Sequence, residues 1–179
     1  FANSTVRGAL SATATTSHIT DTGTLTITGA STFITRATGS NIELNSSGNA
    51  FAAAVTMKAE TNGSEAFGNI AFVDSAAVKL HSAAGTNGDL FIDGSTDGAV
   101  GGTLSITATT GNITQGLAVA VTGASSFTTS ATNGVITLSN TSNAFADAVT
   151  LSTTGATAHA IIDNGTTTLD IAASTVGGD

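Results

Sequence analysis

Apolar and polar residues alternate in short runs along the whole chain, and one such run returns almost intact. Residues 24–33 read TLTITGASTF, and residues 118–127, 94 positions later, read AVAVTGASSF. Alternation with a period of two predicts a half-buried strand, with Leu25 and Ile27 facing inward and Thr26 and Thr28 outward. In the second copy Val119 and Val121 take the inward places. A Gly then breaks the run, and Phe33 or Phe127 closes it.

Three more blocks hold the same offset. LSATATTSHIT (10–20) lies on LSITATTGNIT (104–114), IEL (42–44) on ITL (136–138), and NAFAAAVTM (49–57) on NAFADAVTL (143–151). A shared offset over four blocks marks a tandem repeat, here 10–103 and 104–179, within a single continuous segment 1–179. Past Met57 the offset slips to 89 at Phe72 against Ile161 and to 90 at Asp89 against Asp179, which places an insertion within 62–68. Residues 90–103 have no counterpart before the chain ends.

Inside each copy a shorter beat runs. Strand-like pairs fall at Leu104/Ile106, Val119/Val121, Ile136/Leu138, Val149/Leu151 and Leu169/Ile171, about every 16 residues. With one coil per beat, the chain would make roughly ten coils of about 15–20 residues, a rod about 50 Å long at ~4.8 Å per strand. Asn-Gly at 62–63, 87–88, 133–134 and 164–165 instead reads as hairpin turns, so an antiparallel sandwich array stays open as the alternative. The brevity of the runs, and the same residue types returning at Phe33/Phe127 and Phe51/Phe145, favour an all-β parallel solenoid. Its expected core ladder is Leu25, Ile27, Phe33, Phe51, Leu104, Ile106, Val119, Val121, Phe127 and Phe145.

Composition narrows the picture. The chain holds 35 Thr and 21 Gly, no Pro, Cys, Trp or Tyr, and a net charge of −8 from 12 acidic and four basic residues. Thr favours strands and Gly supplies turns. Four scattered cations cannot form the basic stripe that nucleic acid requires, and the absence of Cys excludes disulfides and thiolate metal sites. No apolar run approaches the roughly 18 residues of a membrane span. The acidic, hydroxyl-rich character fits an extracellular or cell-surface setting. Beginning at Phe1 and not Met, the chain reads as a piece of something longer.

The stretches VGGTLSITATTGNITQ (100–115), VTGASSFTTSATNGVITLSN (121–140) and ASTVGGD (173–179) resemble the filamentous-haemagglutinin-type β-strand repeats of large bacterial surface proteins. The resemblance implies a right-handed parallel β-helix, exported, with a filamentous or adhesive role. With no amphipathic helix to cap the stack, its ends would be open sheet edges. The expected partners are therefore copies of the chain or flanking repeats, end to end, and beyond them a host surface or glycan.

Chemistry-bearing residues are sparse. Arg36, Lys58, Glu43 and Glu60 fall in one region of sequence, as a polysaccharide-active enzyme would need, but without Tyr or Trp for sugar stacking. They read as solvated charges, and no enzyme activity and no cofactor are expected. Asp93 and Asp97 make the first half of a calcium loop whose twelfth position is Leu104 and not Glu, a weak metal candidate. His18, His81 and His159 share no ligand spacing. Loops 62–68 and 90–98 could serve a glycan-binding module. Thr24, Thr26 and Thr28 resemble the Thr-X-Thr of ice-binding β-helices, yet the second copy has Ala118, Ala120 and Thr122 there.

Overall fold

The computed structural model describes residues 1–59, 68–80, 89–92 and 99–178, giving the backbone alone over 89–92 and at 99. It is all-β, and no helix occurs among the described residues. Among the described residues twenty short strands, β1 to β20 in chain order, pair only in parallel and form four sheets around one hydrophobic core. A parallel pairing excludes hairpins, so the antiparallel alternative falls and the chain is a parallel β-solenoid.

Two large sheets dominate. The eight-stranded one runs β2 (Leu10–Ala14), β5 (Ser31–Thr35), β8 (Val55–Ala59), β11 (Asp89–Ile92), β10 (Val78–Leu80), β14 (Ile113–Gln115), β17 (Ile136–Leu138) and β20 (Ala160–Ile162). The six-stranded one runs β3 (Ile19–Thr20), β6 (Ile42–Leu44), β9 (Ile70–Asp74), β13 (Leu104–Ala108), β16 (Ser125–Thr132) and β19 (Val149–Thr154). A first edge sheet holds β1 (Ser4–Val6), β4 (Leu25–Ile27) and β7 (Ala50–Phe51). A second holds β12 (Ala99–Val100), β15 (Ala120–Val121) and β18 (Ala144–Phe145).

Registers give the pitch. Leu10 lies beside Ser31, Ser31 beside Val55, Ile113 beside Ile136 and Ile136 beside Ala160, so a regular turn takes 21 to 24 residues. The solenoid therefore has about six turns and not ten, and its axial length is ~30 Å at ~4.8 Å per rung. The expected count is too high because the beat of about 16 residues steps between faces. Leu104 lies in the six-stranded sheet, Val121 in the second edge sheet, Ile136 in the eight-stranded sheet, and Val149 is back in the first of these. The rung between Leu104 and Val149 opens with Ser125 and carries Thr129 as its third inward residue, both buried, so a search for apolar pairs passes over it.

The two repeats do not stack like on like. In the first, the chain passes from first edge sheet to eight-stranded to six-stranded sheet, as in β4, β5, β6. In the second it passes from second edge sheet to six-stranded to eight-stranded sheet, as in β15, β16, β17. Leu10 and its counterpart Leu104 thus lie in different large sheets, and so do Ile19 and Ile113. The 94-residue offset spans a whole number of turns plus a half. Residues 24–33, likewise, form two strands on two faces, β4 and β5, joined at Gly29. A Cβ on Gly29 would run into Gly8, and one on Gly123 into Gly102, which explains the recurrent glycine: turn lies directly on turn there.

Candidate functional site

Leu25, Ile27, Leu104, Ile106, Val119 and Val121 are buried, as are Phe33, Phe51, Phe127 and Phe145. Strand alternation shows as buried and half-buried residues in turn along β4, β5, β13 and β16. Phe33 and Phe51 meet edge-on with ring centroids 6.3 Å apart, and Phe127 and Phe145 do so at 5.8 Å. Phe72 extends the first cluster, 5.0 Å from Phe51, and Phe1 closes it against Phe33 at 6.1 Å. In-register neighbours differ from the sequence counterparts: Phe33 lies between Ala12 and Met57, and Phe127 between Ile106 and Leu151.

The structure separates the residues that might have shared a catalytic cleft. Lys58 lies on β8 in the eight-stranded sheet with Arg36 one turn earlier, just past β5, whereas Glu43 lies on β6 in the six-stranded sheet. Glu60, Asp93, Asp97, His81, loop 62–67 and most of loop 90–98 lie outside the described residues. His18 acts as a hydrogen-bond acceptor, its Nδ1 taking the Asn41 N–H at 2.9 Å, and His159 is exposed. Among the described residues no cluster of three His, Cys, Asp or Glu has metal-binding geometry.

Sequence reasoning passed over a set of buried amides and carboxyls at the corners. At four corners a buried side chain accepts a backbone N–H from a neighbouring turn. Asn49 Oδ1 takes Leu25 N–H (2.9 Å), Asn143 Oδ1 takes Val119 N–H (2.9 Å) and Asn164 Oδ1 takes Phe145 N–H (2.6 Å). Asp74 Oδ1 fills the same role for Phe51 N–H at 3.2 Å. The corners leave the strand ladder, so their buried N–H groups need side-chain acceptors. Along another corner Asn41 Oδ1 accepts from Asn69, and Asn69 Oδ1 from Thr103. The available signal was Asn49 and Asn143, identical at the 94-residue offset in a setting otherwise read for its Phe.

The donor side of each amide is also used. Asn143 Nδ2 donates to Leu138 O, Asp163 O and Gln115 Oε1, each at 3.0 Å. Asn49 Nδ2 donates to the buried Asp21 carboxylate at 2.6 Å. Burial raises the pKa of Asp74 by desolvation, which outweighs the N–H groups of Phe51, Ala76 and Ser75 that lower it. Of the six Asn-X-Ser/Thr sequons (Asn3, Asn45, Asn62, Asn112, Asn140, Asn164), Asn164 is buried in this ladder and closed to any glycosyl transfer.

The two ends differ from the middle. At one, β2 exposes an edge beside a hollow of about 320 Å³ lined by Phe1, Ala12, Ala14, His18 and Ile19. At the other, Ile171 bridges to the inward-facing Val149, yet it and Val176 are 45 % and 44 % exposed.

No curated protein and no solved structure matched the chain. A family described as repeats of unknown function (DUF5649) matches residues 1–58 and 68–152, interrupted at the insertion that also breaks the 94-residue offset. With its stacked repeats accounting for that match, the chain belongs to the DUF5649 repeat family.

Proposed function

We propose that this chain is a structural segment of an exported bacterial surface filament or adhesin shaft, of the filamentous-haemagglutinin type and right-handed. It works mechanically and not as an enzyme, and further repeats cover its ends. The observation that carries this reading is the arrangement of the eight-stranded sheet, which runs from β2 to β20 and ends in an open strand edge at both. A parallel ladder with open edges is a template for another strand. Contacts that repeat head to tail without closing build fibres. The right-handed sense follows the rule for parallel crossovers.

The setting is tested by labelling intact cells of the source organism with antibody against this chain. Signal on the outer surface, removed by external protease only at high dose, is the expected result. Label confined to permeabilised cells overturns the reading.

A further inference from the structure

The chain contains one complete joint between repeats, and it serves as a template for the joint at its ends. Inside the chain, β9 carries β6 on one edge, with Ile42 beside Ile70, and β13 on the other, with Ile70 beside Leu104. The strand β20 is the second repeat's equivalent of β9, with the buried Phe72 matching Ile162 and not the exposed Ile161 that the 89-residue offset sets against it. It pairs with β17 through Ile136 and Ala160, and Ile136 is the counterpart of Ile42. The strand that ought to follow on the other edge of β20 is the counterpart of β13, which is β2, because Leu10 matches Leu104.

β20 and β2 are the last and first strands of the same eight-stranded sheet. One repeat turns the pattern by half a turn, and two repeats restore it. We propose that a second copy of this chain docks on the β20 edge by simple translation along the axis, with Ala160 beside Leu10 and Ile162 beside Ala12. The inference rests on the shaft reading above and adds its register and its rotation, which is none.

Two further observations fit this occupant. Ile171, bridged to the inward-facing Val149, stays exposed at one end, and a hollow lined by Phe1, Ile19 and the polar Thr13, His18 and Thr20 opens at the other. In the internal joint Ile70 N–H donates to Thr103 O at 2.9 Å, and Asn69 Oδ1 accepts from Thr103 N–H at 2.9 Å. The matching residues at the new joint are Ala160, His159 and Ala9. His159 Nδ1 faces Thr157 O at 3.3 Å, so the bond that carries over is the backbone one, Ala160 N–H to Ala9 O.

The test uses the full chain, which has no native cysteine. Ile161 and Ser11 point outward on strands that the proposed register places side by side, so Ile161→Cys with Ser11→Cys should give a ladder of covalent dimers, trimers and higher species with a short bismaleimide. Ile161→Cys with Thr20→Cys reports the half-turn joint, which would set β20 against β3. Circular dichroism on both variants establishes that each is folded. A ladder from the first pair only supports the proposal. A ladder from the second pair only overturns the register and leaves the shaft reading standing. Folded protein that stays monomeric with both pairs at high concentration overturns the proposed end-to-end docking of copies altogether.

Discussion

The two repeats use one pattern on opposite assignments of the same sheets, and their differences mark what the pattern requires. The strand that opens each repeat's turn (β2, β5, β8; then β13, β16, β19) lies in the eight-stranded sheet first and the six-stranded sheet afterwards. Its inward residues survive the change: Ser31, Phe33, Thr35 become Ser125, Phe127, Thr129, all buried. At the corner, Asp21 with Asn49 becomes Gln115 with Asn143. A carboxylate accepting from an amide is replaced by a mutual amide pair, in which Gln115 Nε2 also donates to Asn143 Oδ1 at 2.7 Å. What is held constant is hydrogen-bond satisfaction at a buried corner, and charge is free to vary.

The largest test of this equivalence removes the buried rings. Phe127→Ala and Phe33→Ala should each cost about 3–5 kcal/mol, as full burial of a large side chain implies. Phe33 should lie at the lower end, since its neighbour Phe1 is 41 % exposed at the open end. Urea unfolding followed by circular dichroism gives the values. Equal loss would remove the distinction between the middle and the end.

Next come the corner amides. Asn143→Ala leaves Val119 N–H without its acceptor and strips three Nδ2 bonds, and a cost of about 2–3 kcal/mol is expected. Asn49→Ala should cost a similar amount by the same measurement, because it orphans Leu25 N–H and takes the shortest donor from Asp21. A loss below ~0.5 kcal/mol at either site would mean that water serves the corner equally well.

Asp74 stands where the second repeat has Asn164, with Phe51 N–H in place of Phe145 N–H. Its raised folded-state pKa means the folded chain holds the proton more tightly than the unfolded chain. Its contribution to stability is therefore most favourable in acid and falls as pH rises from the ordinary carboxylate range through the raised value. Asp74→Asn should stabilise by about 1–2 kcal/mol at neutral pH, with the gain shrinking towards zero in acid. Thermal melts across pH check this, and a gain that grows in acid would contradict it.

The smallest effect separates two serines. Ser125 Oγ is buried with no hydrogen-bond partner among the described residues, whereas Ser31 Oγ donates to Gly29 O at 3.5 Å. Ser125→Ala should gain about 1 kcal/mol and Ser31→Ala should be near neutral, both read from denaturant midpoints.

Fold class was legible because inward positions are dominated by Leu, Ile, Val and Phe, a signal of period two that no turn interrupts for long. Pitch was not, because inward Ser31, Thr35, Ser125 and Thr129 are two of the three buried positions in each of their strands, under polar names. The half-turn was invisible for a different reason. An offset in sequence counts residues, while the turn lengths that convert it to rotation vary from Leu10–Ser31 to the longer excursion Ile70–Leu104. The corner ladder was present as Asn49 and Asn143, but Asn in a Gly-rich chain reads first as a turn residue. Only burial distinguishes an Asn that makes a turn from one that holds two turns together.

The central claim is the half-turn between repeats, and a pair of spin-label distances tests it most directly. Labels at Ala71 and Ser105 sit outward on β9 and β13, in register on neighbouring strands about 5 Å apart. Labels at Thr56 and Ser105 sit on different large sheets, with a core about 10 Å thick between the backbones. The account predicts a short Ala71–Ser105 distance and a clearly longer Thr56–Ser105 distance. If the repeats stacked by whole turns, Ser105 would join the sheet that holds Thr56 and the order of the two distances would reverse.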